Sequence, residues 1–363
     1  MANKTLKYSD IILLLCFSSL IIFSSQETIT KKDADKCYVL ALEGGGDHGA
    51  YQAGAIKGLA DNLPADEAKW SVITGISAGT LNGSGLSLFD IGDEKAGADF
   101  LVSVWRDLEG KNSIYRNWKP WGALGPFFAL FYKSGFYDTT PEKELLNEIL
   151  DGRTIKRDLY IGITNIRTGG YEVVSAKGLS KEDFVQSIMS SSAIPVIFPA
   201  VEYLNKDLYA DGGVKHGIDI LTGINVCKEK GYKEEDIVVD IVLCFGRKLE
   251  EVDPTKQKSM NALLRMFAIW NYDRGTHDVD ETIHSFPNVK FRYLVKPTKD
   301  LPNSTTPLIF DKEELEFMIN VGIQDAKDLV QASTDNFSTV VEMVEEYRKE
   351  RMTTKRAVPN IDN

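Results

Sequence analysis

Three short glycine-rich motifs in this chain bring residues with catalytic chemistry to the ends of predicted strands. They are Leu42-Glu43-Gly44-Gly45-Gly46-Asp47-His48-Gly49, Gly75-Ile76-Ser77-Ala78-Gly79 and Asp211-Gly212-Gly213. Together they supply a serine hydroxyl, a carboxylate and a run of backbone amides. Attack on an ester carbonyl by an activated serine needs these three components.

The second motif has the form of a nucleophile elbow, in which a strand turns sharply into a helix. Its flanking glycines, Gly75 and Gly79, remove side-chain bulk so that the hydroxyl of Ser77 can stand exposed on a strained turn. An apolar run precedes the motif and small residues follow it, as a strand and a helix would require. The spacing therefore predicts Ser77 as a nucleophile.

The first motif follows a predicted strand and opens a helix predicted from Ala50 to Asp61. Consecutive glycines let successive backbone N–H groups point into one concavity beside the positive end of a helix. We therefore predict that Gly44, Gly45 and Gly46 hold an anion. From the residues alone, that anion is either a phosphate or the oxyanion of a tetrahedral intermediate.

The third motif places Asp211 at the end of a predicted strand, followed by Gly212 and Gly213. A carboxylate in this position reaches a neighbouring loop with little obstruction. A serine hydroxyl is a poor nucleophile until a neighbouring group takes its proton, and Asp211 is a candidate for that group.

Taken in order, the three motifs resemble those of the patatin-like phospholipase family. Three further blocks are similar to the same family: Gly135-Phe136-Tyr137-Asp138-Thr139-Thr140-Pro141, Thr164-Asn165-Ile166-Arg167-Thr168-Gly169, and Ser191-Ser192-Ala193-Ile194-Pro195 with Phe198-Pro199. The resemblance covers residues 37 to about 220, and residues 221 to 363 match only loosely.

The resemblance implies a role for each motif. Ser77 would be the nucleophile and Asp211 the base of a dyad that needs no histidine, with an oxyanion hole from Gly44, Gly45 and Gly46. The implied activity is cleavage of carboxylic esters in phospholipids or other lipids, as by a phospholipase A, a lysophospholipase or a lipase, at a membrane or micelle interface. The implied fold is a three-layer α/β/α domain with a mostly parallel central sheet.

Two positions depart from the family pattern. His48 stands where the family usually has Arg or Lys, and a neutral imidazole is expected there at pH 7. Gly217, Ile218 and Asp219 stand where the family tends to have an Asn–Pro pair. The second departure weakens any inference about the geometry of the loop after Asp211.

The chain alternates short apolar runs with helical stretches, which is typical of βαβ units around a largely parallel sheet. Strands are predicted at Tyr38–Leu42, Ser71–Ile73, Tyr160–Thr164, Tyr171–Ser175, Leu208–Ala210, Ile237–Phe245 and Lys290–Leu294. Helical spacing predicts one helix between Leu315 and Leu329 and another from about Phe337 to Arg351. Because no repeat or linker interrupts the pattern, residues 37–350 are predicted to form one domain.

Three other functions compete with the dyad hydrolase. A Ser-His-Asp esterase would use Ser77, Asp211 and then His216 or a later histidine. A dinucleotide-binding protein would explain Gly44-x-Gly46-x-x-Gly49, but its second strand should end in an acidic residue, and here Thr74 and Gly75 stand there. A non-catalytic lipid-binding or storage protein on the same fold would not need the serine, the aspartate and the glycines together.

Composition restricts the partners of the chain. Its 363 residues carry a net charge of −11 at pH 7. Nucleic acid is excluded as the main partner because phosphate binding needs clustered Lys and Arg. The charge also argues against electrostatic docking on anionic membranes, while hydrophobic insertion stays open. No histidine pair has metal-ligand spacing and no calcium loop is visible, so neither a metal nor a cofactor is expected.

The N-terminal segment differs from the rest of the chain. Lys4 and Lys7 precede an apolar run from Ile11 to Phe23, followed by small polar residues. This order predicts a signal peptide over residues 1–25, and therefore secretion or delivery to the lumen of secretory or lysosome-like vesicles. An uncleaved membrane anchor is the alternative. Removal of the segment leaves three cysteines, so at least one of them has no partner within the chain.

Nine aromatic residues fall between Tyr115 and Tyr137, with Pro120, Gly122, Gly125 and Pro126 among them. The prolines and glycines exclude one regular helix over the whole segment. One hypothesis is a lid or interfacial flap that admits acyl chains. The other is that these aromatics pack into the core.

Overall fold

The computed structural model describes residues 36–119, 124–245, 252–253, 255, 258–303, 307–332, 341, 344–345 and 349. These residues belong to one compact unit. The predicted signal peptide and most of the helix expected after Phe337 lie outside the described residues. Within the described residues, no helix has both the length and the apolar character that crossing a membrane requires.

Ten strands occur in the described residues. They are β1 (Cys37–Leu42), β2 (Val72–Gly75), β3 (Arg116–Asn117), β4 (Tyr137–Asp138), β5 (Asp158–Asn165), β6 (Tyr171–Ser175), β7 (Val201–Tyr203), β8 (Asp207–Asp211), β9 (Ile237–Val242) and β10 (Lys290–Val295). Eight form one sheet in the order β10-β9-β1-β2-β5-β8-β7, with β6 on β5. The strands from β10 to β5 pair in parallel, and the pairs that involve β6, β7 and β8 are antiparallel.

The α-helices of the described residues connect and cover these strands. They are α1 (Gly49–Asn62), α2 (Ala78–Leu86), α3 (Glu94–Asp107), α4 (Gly125–Tyr132), α5 (Thr140–Ile149), α6 (Lys181–Ser191), α7 (Ile220–Glu229), α8 (Ser259–Ser285) and α9 (Lys312–Gln331). Helices α1, α3 and α9 share a core with one face of the sheet. Helices α7 and α8 share a second core with the other face.

Strand β1 shows how its sequence produces the layers. Leu40 and Leu42 lie in the first core, whereas Val39 and Ala41 lie in the second. Successive side chains of a strand point to opposite faces, so a strand buried on both sides is apolar throughout. The result is a three-layer α/β/α arrangement with a mostly parallel sheet, which confirms the predicted fold class.

The pairing of β5 brings the ends of β2 and β8 together. Ile163 pairs with β6 and also with Asp211 of β8, so β8 lies on the edge of β5 opposite β6. Strand β2 uses that same edge, where Gly75 pairs with Ile161. Because β2 is parallel to β5 and β8 is antiparallel to it, their carboxyl ends face each other along one edge.

A disulfide joins Cys37 at the start of β1 to Cys227 of α7, with 6.0 Å between the Cα atoms. The third cysteine, Cys244, is a buried free thiol. The odd cysteine expected from the sequence is therefore Cys244.

Candidate active site

Ser77 lies on a strained turn between β2 and α2. Its backbone has φ 53° and ψ −121°, a conformation that L-residues rarely adopt and that costs about 1–3 kcal/mol. The surroundings hold this conformation, because the Ser77 amide donates to Oγ of Ser191 (3.0 Å), which itself donates to the carbonyl oxygen of Gly162 (2.8 Å). A Cβ on Gly75 would lie 2.6 Å from the Gly79 carbonyl carbon, and one on Gly79 would lie 2.4 Å from the Leu42 carbonyl oxygen.

Asp211 lies beside Ser77 because β2, which ends just before Ser77, and β8, which ends at Asp211, have carboxyl ends that face each other. The Asp211 carboxylate accepts a hydrogen bond from the Gly213 amide (2.7 Å) and another from the side chain of Ser77. Burial raises the pKa of Asp211 to about 7, although both hydrogen bonds oppose that rise. A base with a pKa near the working pH is well matched to proton transfer.

Ser77, Asp211 and the three glycines of the first motif line the same cavity. Its remaining lining is largely apolar and comes from five parts of the chain: Ile194, Pro195 and Ile197; Gly213, Val214 and Gly217; Phe245; Ala268 and Trp270; Pro307 and Leu308. Asp211 is the single charged residue among the described residues of this lining. The cavity therefore places a serine and a carboxylate at an apolar surface.

The three predicted anion-binding glycines are not equivalent. The Gly44 amide donates to the carbonyl oxygen of Gly217 (3.1 Å), so its N–H group is already engaged. A Cβ on Gly44 would lie 3.3 Å from Cβ of Ser77, so this glycine lets the loop approach the serine closely. The amides of Gly45 and Gly46 have no acceptor among the residues that the structure describes. These two are the donors left for an anion.

Comparison with known proteins identifies the family. A family model described as "Patatin-like phospholipase" matches residues 40–222, half of the chain and all three glycine-rich motifs. The chain belongs to the patatin-like phospholipase family. Lipid acyl hydrolysis is the general activity that this membership supports.

One solved structure, "Crystal structure of VipD from Legionella pneumophila", is similar to this patatin-like chain. The sequences are 16% identical, and the TM-score is 0.37. The alignment covers 82% of this chain and 67% of the VipD chain. Among curated proteins, none matches.

Two buried carboxyl groups anchor the glycine loop of this patatin-like site. Glu43 accepts from the amides of Cys244 (2.6 Å) and Phe245, and burial raises its pKa to about 8. Asp47 accepts from the amides of Ile309 (2.9 Å) and Phe310 (3.2 Å), and burial raises its pKa to about 7. Both groups thus tie the loop to segments that line the cavity. Sequence analysis missed them, because an acid beside glycines also has the pattern of an ordinary solvent-exposed turn.

The buried ring of His48 lies between two backbone carbonyl oxygens. The buried ring has Nδ1 3.1 Å from the carbonyl oxygen of Cys244 and Nε2 2.8 Å from that of Pro302. Carbonyl oxygens only accept hydrogen bonds, so a ring that bonds to both carbonyls at once needs a proton on each nitrogen. Oδ1 of Asp47 lies 4.0 Å from Nε2 of His48.

The loop after Asp211 is clamped by α8, which lies outside the span that the family model matches. Arg274 donates to the carbonyl oxygens of Gly213 (3.1 Å) and Val214. Asp278 accepts from the amides of Gly217 (2.7 Å) and Ile218 (3.2 Å). The departure from the family's Asn–Pro pair thus falls on a loop whose backbone is held by side chains of a distant helix.

His216 does not take the place of a catalytic histidine in this structure. Its Nδ1 lies 3.1 Å from Oδ1 of Asp278, and its ring packs edge-on against Tyr171. The hydrogen bond to Asp278 raises the pKa of His216. His216 is not among the lining residues of the cavity that holds Ser77, so the geometry favours Asp211 as the neighbour of the serine. Among the described residues, no group of three His, Cys, Asp or Glu side chains is placed to bind a metal ion.

Proposed function

We propose that this chain is a serine acyl hydrolase that cleaves carboxylic ester bonds of lipids with a Ser77–Asp211 dyad. The observation that carries the proposal is the meeting of a strained serine, a buried carboxylate and the amides of Gly45 and Gly46 on one apolar cavity. Family membership supports the general class of reaction.

Asp211 takes the proton of the Ser77 hydroxyl as Oγ attacks the ester carbonyl carbon. The Gly45 and Gly46 amides donate to the oxyanion that forms. The tetrahedral intermediate then collapses, and the alcohol leaves with the proton held by Asp211. Water attacks the acyl-enzyme, Asp211 takes a proton from this water, and the fatty acid leaves as Oγ of Ser77 regains its proton.

The lining of the cavity supports the acyl chain as the part of the substrate that enters. Apolar residues surround the dyad, and the lining offers no cationic side chain to a phosphate among its described residues. A charged headgroup inside such a cavity would lose its hydration without compensation. The proposed binding mode therefore has the acyl ester inside and the headgroup at the mouth, at a membrane or micelle interface.

Secretion or delivery to a secretory or lysosome-like lumen is part of the proposal. Support comes from the signal-like N-terminal segment and from the Cys37–Cys227 disulfide. Disulfides persist in oxidising compartments and are rare where thiols are kept reduced.

The deciding experiment measures fatty-acid release from mixed phospholipid and neutral-lipid vesicles by the wild type, Ser77→Ala, Asp211→Asn and His216→Ala. We expect both dyad variants to lose at least about a thousandfold in rate, while His216→Ala keeps most of its activity. The identity of the products would then name the substrate.

Two outcomes contradict the dyad. Activity retained in Asp211→Asn and lost in His216→Ala would make the site a Ser-His-Asp esterase. Inactivity of the wild type on every lipid ester would favour a lipid-binding or storage protein on the same fold.

A further inference from the structure

We infer that exposed apolar side chains around the cavity mouth form a docking surface for a zwitterionic lipid bilayer. This rim surface consists of Phe127, Phe131, Tyr132, Val196, Ile269 and Ile309. The purpose of the rim surface, which is to pass an acyl chain from the bilayer to the dyad, rests on the proposed function. The binding itself needs no turnover.

Helix α4 provides the most exposed part of the rim surface. Phe127, Phe131 and Tyr132 have 63%, 67% and 72% of their surface exposed. Phe127 and Phe131 are one helical turn apart, and their ring centroids lie 5.9 Å from each other. Soluble monomers rarely leave contiguous aromatic side chains in water, and such patches mark interaction sites.

The chain that leaves α4 is joined directly to the wall of the cavity. Gly135 forms a β-bridge with Val196, and the Phe136 amide donates to the Val196 carbonyl oxygen (2.9 Å). Val196 is exposed and stands between Pro195 and Ile197, which both line the cavity. The segment that carries α4 is therefore anchored beside the residues that line the cavity.

The other side of the mouth repeats this arrangement. On α8, exposed Ile269 stands between Ala268 and Trp270, which both line the cavity. Exposed Ile309 directly follows Leu308, which also lines it. In each of three separate segments, an exposed apolar residue thus stands next to a residue that lines the cavity. This pattern places exposed apolar side chains beside the lining of the cavity on several sides, where they can meet an acyl chain as it leaves a bilayer.

The chemistry of the rim surface indicates a lipid bilayer as its occupant. Aromatic side chains on a short helix are suited to the region between headgroups and acyl chains. Lys133 follows α4 directly and lies 4.5 Å from the ring centroid of Trp118, so a cation is available to lipid phosphates beside the aromatics. A net charge of −11 opposes binding to anionic lipid, so the apolar contacts must supply the affinity.

The test measures co-sedimentation of the Ser77→Ala chain with phosphatidylcholine vesicles, so that binding is separated from hydrolysis. The Phe127→Asp/Phe131→Asp double substitution is introduced into this chain. Phe317→Asp serves as the matched control, because Phe317 is also exposed but lies on α9, which contributes nothing to the described cavity lining. Melting curves verify that each variant is folded.

We expect the double variant to lose at least about tenfold in vesicle affinity and the control to keep it, because burial of one phenylalanine contributes about tenfold or more. Equal binding by the double variant would overturn the inference. So would failure of the Ser77→Ala chain to bind vesicles, or binding that needs anionic lipid and disappears in salt. Turnover of a soluble short-chain ester by the wild type tests the dyad independently of the rim surface.

Discussion

The burial of Asp211 determines the pH at which the proposed base is ionised. Its pKa is raised to about 7, and only the carboxylate form can take the proton of Ser77. We therefore expect kcat/KM for a soluble ester to rise with pH through about 7 and then level off. A pH–rate profile already level at pH 5 would contradict this assignment. Asp211→Asn should show no such rise.

The two carbonyl contacts of the buried His48 ring predict a proton on each of its nitrogens, and therefore a positive charge next to the glycine loop. In the ¹⁵N-labelled protein at pH 7, we expect both ring nitrogens to give protonated signals. A nitrogen signal without a proton would show that the ring is neutral and that one contact to Cys244 or Pro302 is not a hydrogen bond.

Replacement of His48 tests the same contacts through stability. In His48→Gln the side-chain amide can donate to one of the two carbonyl oxygens, and the other loses its partner. We expect the free energy of unfolding to fall by about 1–3 kcal/mol, as for a buried polar group left unpaired. Urea unfolding measures the change. An unchanged unfolding midpoint would mean that the hydrogen bonds of His48 contribute little.

At the scale of helices and strands, local sequence patterns were sufficient to predict the nucleophile elbow at Ser77. They were not sufficient to predict that Asp211 lies beside it. The small-residue helices and the strands before Ser77 and Asp211 follow from apolar runs and flanking glycines. That β2 and β8 share one edge of β5 depends on the pairing of each strand with β5, which joins residues far apart in the chain and for which a single sequence carries no local signal. The resemblance to a family joined Ser77 to Asp211 before the pairing was known.

The role of α8 was also beyond prediction. Arg274 and Asp278 stand in a 27-residue helix without any motif, and their contacts to the loop after Asp211 arise only from tertiary packing. The same holds for Glu43 and Asp47, whose partners lie about 200 residues or more along the chain. Sequence identified the groups at the cavity surface, whereas the side chains that hold their backbone came from the structure.

Asp278 offers a direct test of this positioning. Asp278→Ala removes the acceptor of the Gly217 and Ile218 amides. The loop that follows Asp211 then loses two hydrogen bonds to a carboxylate, each worth about 1.5–3 kcal/mol. We expect kcat to fall about tenfold or more with little change in KM, because the base is misplaced and the acyl site is kept. Kinetics on a soluble ester measure both values.

Glu281→Ala provides the control for Asp278→Ala. Glu281 lies one turn further along α8 and is exposed. Equal loss of activity in both variants would show that the helix as a whole, rather than the contact to the loop, is responsible.

Over the whole molecule, several buried acids favour the protonated form. Burial raises the pKa of Glu43 to about 8 and those of Asp47, Glu142 and Asp211 to about 7. Asp211 lines the cavity, and Glu43 and Asp47 hold the glycine loop that also lines it. Glu142 accepts a hydrogen bond from Ser192, which lies in the 191–195 block. Amides and hydroxyls donate hydrogen bonds to these four carboxyl groups. These hydrogen bonds compensate only part of the free-energy cost of burying a charged carboxylate.

The raised pKa values give the folding stability a defined dependence on pH. For each raised acid, the folded state keeps a proton that the unfolded chain releases above pH 4–5. Its contribution is therefore complete below the unfolded pKa and is lost as pH rises through the folded pKa. Acids with a lowered pKa, such as Asp207 at about 2, are ionised in both states above pH 5 and add no slope there.

We therefore expect the melting temperature to fall between pH 5 and pH 8, the same interval in which the activity that depends on ionised Asp211 rises. Glu43→Gln should reduce the fall, because the amide keeps an acceptor for Cys244 and no longer titrates. The exposed Glu281→Gln should leave the fall unchanged. Thermal unfolding at half-unit pH steps measures these slopes. A melting temperature that does not fall across the interval would contradict these raised pKa values, because acids already ionised in the folded state at pH 5 add no downward slope.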